Sequence, residues 1–196
     1  ILSRGNQLIT GYKALNELMN QPRDHNRASS YVPRENFKGS IQFKDLEFKY
    51  PDTEKLIVDK LTNEIKPGEK VAIIGSNGSG KTTLARLILR LYEPTAGAMY
   101  FDSIDSRQID PIFIRSQIGY VPQDPWIITG SVKDNLSLGN DEIVDDLLIW
   151  AGKTTGINRF IDANKDGYNM YVGEKGGLLS GGQKQALTIA RAVIRK

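Results

Sequence analysis

Gly75-Ser76-Asn77-Gly78-Ser79-Gly80-Lys81-Thr82 follows a four-residue apolar run, Val71 to Ile74, and precedes the helical spacing of Leu84, Leu87, Ile88 and Leu91 within Thr82–Tyr92. It matches the phosphate-binding loop pattern in the strand–loop–helix setting that the pattern needs. Glycines at 75, 78 and 80 let the backbone turn its N–H groups inward onto phosphate oxygens. The helix beginning near Lys81 adds the positive end of its dipole. Lys81 then neutralises β- and γ-phosphates, and Thr82 sets its hydroxyl on Mg²⁺. A short apolar strand feeding such a loop is of the kind buried on both faces of a parallel sheet. The loop alone leaves open which nucleotide is bound and which reaction follows.

Composition narrows the rest. The 196 residues suit one domain, or one with a short appendage. A chain that is 39% hydrophobic and 25% charged can build a core, which excludes wholesale disorder. With no Cys, a disulfide scaffold, a Cys-ligated zinc or iron–sulfur site and a thiol nucleophile are excluded. No stretch approaches the roughly 18 apolar residues needed to span a bilayer, and the first residues lack the pattern of a signal peptide. The net charge of +3 lies wholly in residues 1–40, where Arg4, Lys13, Arg23, Arg27, Arg34 and Lys38 outnumber Glu17, Asp24 and Glu35. A neutral body argues against an extended nucleic-acid groove, so no nucleic-acid partner is expected. The basic leading segment fits a position near an anionic membrane face as well as it fits a solvated linker.

Along the chain, Ile1–Asn20 has the three-and-four apolar spacing of an amphipathic helix that Pro22 ends, and Gln21–Ser40 reads as a polar linker. Residues 41–65 alternate as short antiparallel strands, with a slip at Lys44-Asp45 that predicts a β-bulge. Strands are expected at Val71–Ile74, Ala98–Phe101 and Ile118–Pro122. Between Gly130 and Phe160 helices are expected from Ser131, from Asp141-Glu142 and from Thr154-Thr155. A last helix covers Gly182–Lys196, with Ala186, Ile189, Ala190 and Val193 inward.

A second motif, Leu179-Ser180-Gly181-Gly182-Gln183, opens that last helix. Together with the phosphate loop upstream it resembles the nucleotide-binding domain of ABC transporters, whose signature is LSGGQ. The resemblance covers roughly the last 155 residues. It implies an α/β P-loop NTPase fold of RecA-like type: a parallel-sheet core, an N-terminal antiparallel β-subdomain and an α-helical subdomain over about residues 124–181. Residues 1–40 become the end of the last membrane-domain helix and a linker, and residues 41–196 the nucleotide-binding domain. The implied cofactors are ATP and Mg²⁺. Gly75, Ser76, Asn77, Gly78, Ser79, Gly80, Lys81, Thr82 and Thr83 hold the phosphates, and Tyr50 stacks on adenine. Thr82 and Gln123 serve the metal, and Gln123, with Lys81, the attack by water. Ser180, Gly181, Gly182 and Gln183 contact the ATP of a second copy in a head-to-tail homodimer.

Two features resemble the exporter branch: Val172-Gly173-Glu174-Lys175-Gly176, whose Glu174 touches the membrane domain, and the leading helix. Arg107-Gln108-Ile109-Asp110-Pro111 is similar to type I secretion exporters, which pass polypeptides outward. The implied parent is an ATP hydrolase at the cytoplasmic face of the inner membrane, joined to a transmembrane domain on the same chain and acting on an exported substrate. Departures are Asp102-Ser103, where Asp-Gly is usual, and Trp126-Ile127-Ile128. The family's Walker B Asp, catalytic Glu and switch His are expected after Lys196, so these residues alone are expected to be inactive. The alternatives are a soluble ABC ATPase of DNA repair or translation, and a catalytically dead ATP-binding module. Asp162-Ala163-Asn164-Lys165-Asp166-Gly167 resembles the start of a calcium loop, but Gly173 stands where a bidentate Glu is needed, so it reads as a turn. His25, in the polar linker, has no partner to act with.

Overall fold

The computed structural model describes residues 11–16, 19–20, 31–138 and 143–194. Residues 11–16 are helical; the rest of the expected Ile1–Asn20 helix lies almost entirely outside the described residues. Four strands form one antiparallel sheet in the order β2-β1-β3-β4: β1 Ile41–Phe48, β2 Val58–Ile65, β3 Ala96–Phe101 and β4 Ile104–Asp105. The expected bulge is present. Pairing with β2 shifts between Phe43 and Leu46, and pairing with β3 shifts between Lys44 and Glu47. Asp45 takes φ 44° there. The extra residue keeps Phe43, Leu46 and Phe48 all buried on one face despite their uneven spacing.

Helix α1, Lys81–Ile88, lays Leu87 against that face, closing a core with Val58, Met99 and Phe101. Its chain turns away at Arg90 (φ 51°), whose guanidinium donates to the carbonyls of Ser106 and Ile109 and pairs with Glu93. Helix α2, Pro111–Ser116, starts with proline in its first turn and is capped by Asp110, which accepts from the Ile112 N–H at 2.8 Å.

The segment read as a linker is docked in its second half. Asp102 Oδ2 accepts from the Lys38 N–H at 2.7 Å and from Arg34, and Asp102 Oδ1 accepts from the Ser40 N–H at 2.9 Å. Phe37 rests on Phe101 with ring centroids 5.6 Å apart, and the Val32 N–H donates to the Gln108 carbonyl. Asp102 and Ser103 both take positive φ, 47° and 69°, so the β3–β4 turn forms without glycine.

A second core lies among α3 Val132–Ser137, α4 Asp145–Thr155, α5 Asn158–Ile161 and α6 Gly181–Ile194. Thr154 and Thr155 end α4 rather than begin a helix, because Gly156 (φ 77°) closes it in a left-handed turn. The expected start at Asp141-Glu142 lies outside the described residues. On α6 Leu187, Thr188, Ala190, Arg191 and Ile194 are buried, Ala186 and Val193 pack against the same core as expected, and of the expected stripe only Ile189 is exposed. Asn135, wholly buried, joins three pieces of chain. It donates to the carbonyls of Ile128 and Ser131, accepts from the Ile128 N–H, and receives Arg191, whose guanidinium also reaches the Trp126 carbonyl.

Two expected strands do not appear. Val71–Ile74 and Ile118–Pro122 make no ladder, and Ile74 is 93% exposed. A strand exists only by pairing, and among the described residues neither run pairs with a strand. The sheet described here is therefore antiparallel throughout.

Candidate functional site

The phosphate loop curls around its own lysine. Lys81 Nζ donates to the carbonyls of Gly75 at 2.8 Å and Ser76 at 2.7 Å, and lies 3.3 Å from Ser79 Oγ. Gly78 and Gly80 take φ 77° and 89°, a region costly for any residue with a side chain. A Cβ on Gly80 would also stand 2.9 Å from the Ile57 carbonyl oxygen. Ile57, the residue before β2, thus packs closely against the loop at Gly80.

Beside it opens a cavity of about 360 Å³ lined by Tyr50, Ile57, Asn77, Gly78, Ser79, Gly80, Lys81, Thr82, Thr83 and Gln123. Gln123, distant in sequence, lines the same cavity as the loop. Gly75 and Ser76 enter through their carbonyls on Lys81. A volume of this size suits a small ligand. Its donor set of loop N–H groups, one ammonium and the Thr82 hydroxyl is chemistry for a polyphosphate with a divalent cation. No acidic side chain lines this cavity among the described residues.

Tyr50 stands two residues beyond β1 rather than in it. Its hydroxyl pairs with Thr83 Oγ1 at 3.0 Å and accepts from Arg86 Nη1 at 3.4 Å. The Thr83 bond, helped by Arg86 and opposed by burial, holds its ionisation below the usual tyrosine range.

The signature residues are elsewhere, and none of Ser180, Gly181, Gly182 and Gln183 lines the phosphate cavity. Ser180 and Gln183 cap each other: Gln183 Oε1 accepts from the Ser180 N–H at 2.7 Å, and Ser180 Oγ accepts from the Gln183 N–H at 3.3 Å. This capping box was legible as Ser-x-x-Gln. Gly181 and Gly182 face open space, with nothing within 4 Å of where a Cβ would sit. Exposed Glu174 begins a single turn that ends at buried Gly176, and Asn164 closes the Asp162–Gly167 turn onto the Asp166 N–H. Among the described residues no cluster of His, Cys, Asp or Glu could hold a metal.

Residues 58–196 match the ABC transporter family. The chain belongs to that family. Among relatives of this ABC domain, the leukotoxin export ATP-binding protein LtxB of Aggregatibacter actinomycetemcomitans is 37% identical over 180 residues, covering 92% of this chain and 25% of that protein. The alpha-hemolysin translocation ATP-binding protein HlyB of Escherichia coli is 38% identical over the same length and shares. ABC transporter B family member 1 of Dictyostelium discoideum is 42% identical over 158 residues, 80% of this chain and 17% of that protein. A solved bacterial Atm1-family ABC exporter with ATP bound superposes with a TM-score of 0.86 at 30% identity, over 97% of this chain and 33% of that one. The ABC domain thus spans a quarter or less of the length of these curated relatives. Its fold is that of a P-loop ABC ATPase, and it is an ATP-binding domain of exporter type. No helix among the described residues is long and apolar enough to cross a membrane.

Proposed function

We propose that this domain holds Mg-ATP between its own phosphate loop and the start of α6 in a second copy facing it head to tail, and that ATP hydrolysis there drives export through a transmembrane domain on the same parent chain. The observation that carries the reading is the pairing of a closed phosphate loop with a remote helix start whose two glycines meet nothing of their own chain. The loop N–H groups and Lys81 bind the triphosphate, and Tyr50 carries the base. Bound Mg²⁺ would supply positive charge against the phosphates. Thr82 would hold it through its hydroxyl, and Gln123, lining the same cavity, would help hold it and orient the attacking water. In-line attack also needs a carboxylate for the metal and one for the water, which the reading assigns to chain outside the described residues. Residues 1–40 connect to the membrane domain, residues 41–196 form the catalytic domain with its helical part near 124–181, and Glu174 touches the membrane side. The site then works at the cytoplasmic face.

The leukotoxin and alpha-hemolysin proteins favour a polypeptide as the exported substrate. The test is ATP-dependent dimerisation of the parent protein followed by sedimentation, with ATPase activity measured alongside. Lys81→Ala is expected to weaken nucleotide binding and, at ATP concentrations that dimerise the parent, to abolish dimerisation. Gly182→Ala is expected to keep nucleotide binding and lose the dimer. Loss of nucleotide binding in Gly182→Ala would overturn the head-to-tail arrangement.

A further inference from the structure

Tyr50 is fixed from three sides. Its ring meets Phe48 edge-on at 5.0 Å between centroids and Tyr92 at 5.2 Å, with interplanar angles of 80° and 89°. Its hydroxyl is the third point, bonded to Thr83 and Arg86. Those two residues sit three apart on α1, hence on one helical face, and α1 is the helix whose start completes the phosphate loop. The aromatic platform and the phosphate cradle are therefore tied to a single rigid element. The edge-on ring contacts limit the rotation of the ring about its own axis, and the hydroxyl bonds, at the far end of that axis, fix where it points.

We propose that Thr83 and Arg86 are positioning residues which set the Tyr50 ring at a fixed offset from the phosphate loop, so that a nucleotide's base and triphosphate are bound together. This rests on the reading of Tyr50 as the base platform. A purely structural role for Arg86 fits the geometry less well. Its side chain is exposed at the end of α1, and an exposed bond of 3.4 Å adds little to folding. Its effect falls instead on ligands that reach the ring.

Titration calorimetry of the full chain with Mg-ATP and with Mg-tripolyphosphate separates the two contributions, because tripolyphosphate fills the loop and carries no base. Arg86→Met and Thr83→Val are expected to weaken ATP about three- to tenfold, the worth of one net hydrogen bond, and Arg86→Met, at a residue outside the phosphate cavity, to leave tripolyphosphate unchanged. Thr83→Ser keeps the hydroxyl and is expected to restore ATP affinity. In Arg86→Met, equal weakening of both ligands, or of neither, overturns the proposal. Tyr50→Ala reports on the underlying reading. If it lowers ATP affinity selectively while the Arg86 and Thr83 variants do not, only the positioning role fails. If it leaves the ratio of the two affinities unchanged, the base platform fails and the positioning role with it.

Discussion

Two helices of this domain begin with glycines, and they begin differently. At α1, Gly80 is forced: its φ of 89° and the Ile57 carbonyl at 2.9 Å exclude a side chain, and Lys81 is folded into the loop that results. At α6, Gly181 and Gly182 are forced by nothing, since a Cβ on either would meet open space. Glycine in a helix gives up about 0.5–1 kcal/mol relative to alanine. A site that carries two of them without a packing reason is shaped for close approach by something outside the chain. The first start is a complete cradle within one chain, and the second is half of one; this difference favours the head-to-tail reading.

The comparison breaks most readily where α6 is anchored. Asn135→Ala would strip hydrogen bonds from Ile128, Ser131 and the buried Arg191. With each buried polar group left unpaired costing about 1–3 kcal/mol, a loss of about 3 kcal/mol or more is expected, read as a fall in the denaturant midpoint. A loss below about 1 kcal/mol would mean that the second helix start does not depend on this node. Lys81→Ala comes next. Removing one charge-assisted donor is expected to weaken Mg-ATP by about ten- to a hundredfold in titration calorimetry.

The paired glycine substitutions test the contrast itself. Gly80→Ala is expected to destabilise the fold by about 1–3 kcal/mol through backbone strain and the Ile57 clash. Gly182→Ala is expected to leave stability equal or raise it by up to about 1 kcal/mol. Thermal melts of the two variants side by side suffice. Equal destabilisation would erase the distinction between a forced glycine and a free one.

What the sequence discloses follows the same division. The phosphate loop, the bulge at Lys44-Asp45, β3 and the Ser131 cap are local devices, each written in adjacent residues, and each is where the pattern placed it. Gln123 reached the loop's cavity only through the order of motifs, because nothing about a lone Gln announces it. The misses depend on distant partners. Val71–Ile74 has the composition of a buried strand but no neighbour to pair with among the described residues. The docking of residues 31–40 depends on Asp102, far along the chain and readable from the sequence only as a turn residue. The burial of Arg191 on α6 depends on Asn135, which draws inside a cation that periodicity alone assigns to solvent.

Two capped helix starts sharpen the comparison at its smallest scale. Ser131 and Asp134 form a capping box at α3 with a carboxylate, while Ser180 and Gln183 form one at α6 with an amide. The Ser131 N–H, followed by the Ser131 hydroxyl, holds the Asp134 carboxyl below its ordinary range. A carboxylate with a depressed folded pKa contributes stability that is present above the unfolded value, near 4, and is lost as pH falls through the folded one. The deficit of Asp134→Asn relative to the parent is therefore expected to shrink between pH 6 and pH 3, by about 0.5 kcal/mol at most because the group is exposed to solvent. Gln183→Ala loses a cap that does not titrate, so its deficit of about 0.5–1 kcal/mol is expected to stay constant over the same range. Denaturant midpoints at the two pH values decide it. Parallel deficits in both variants would show that Asp134 caps α3 by shape and not by charge.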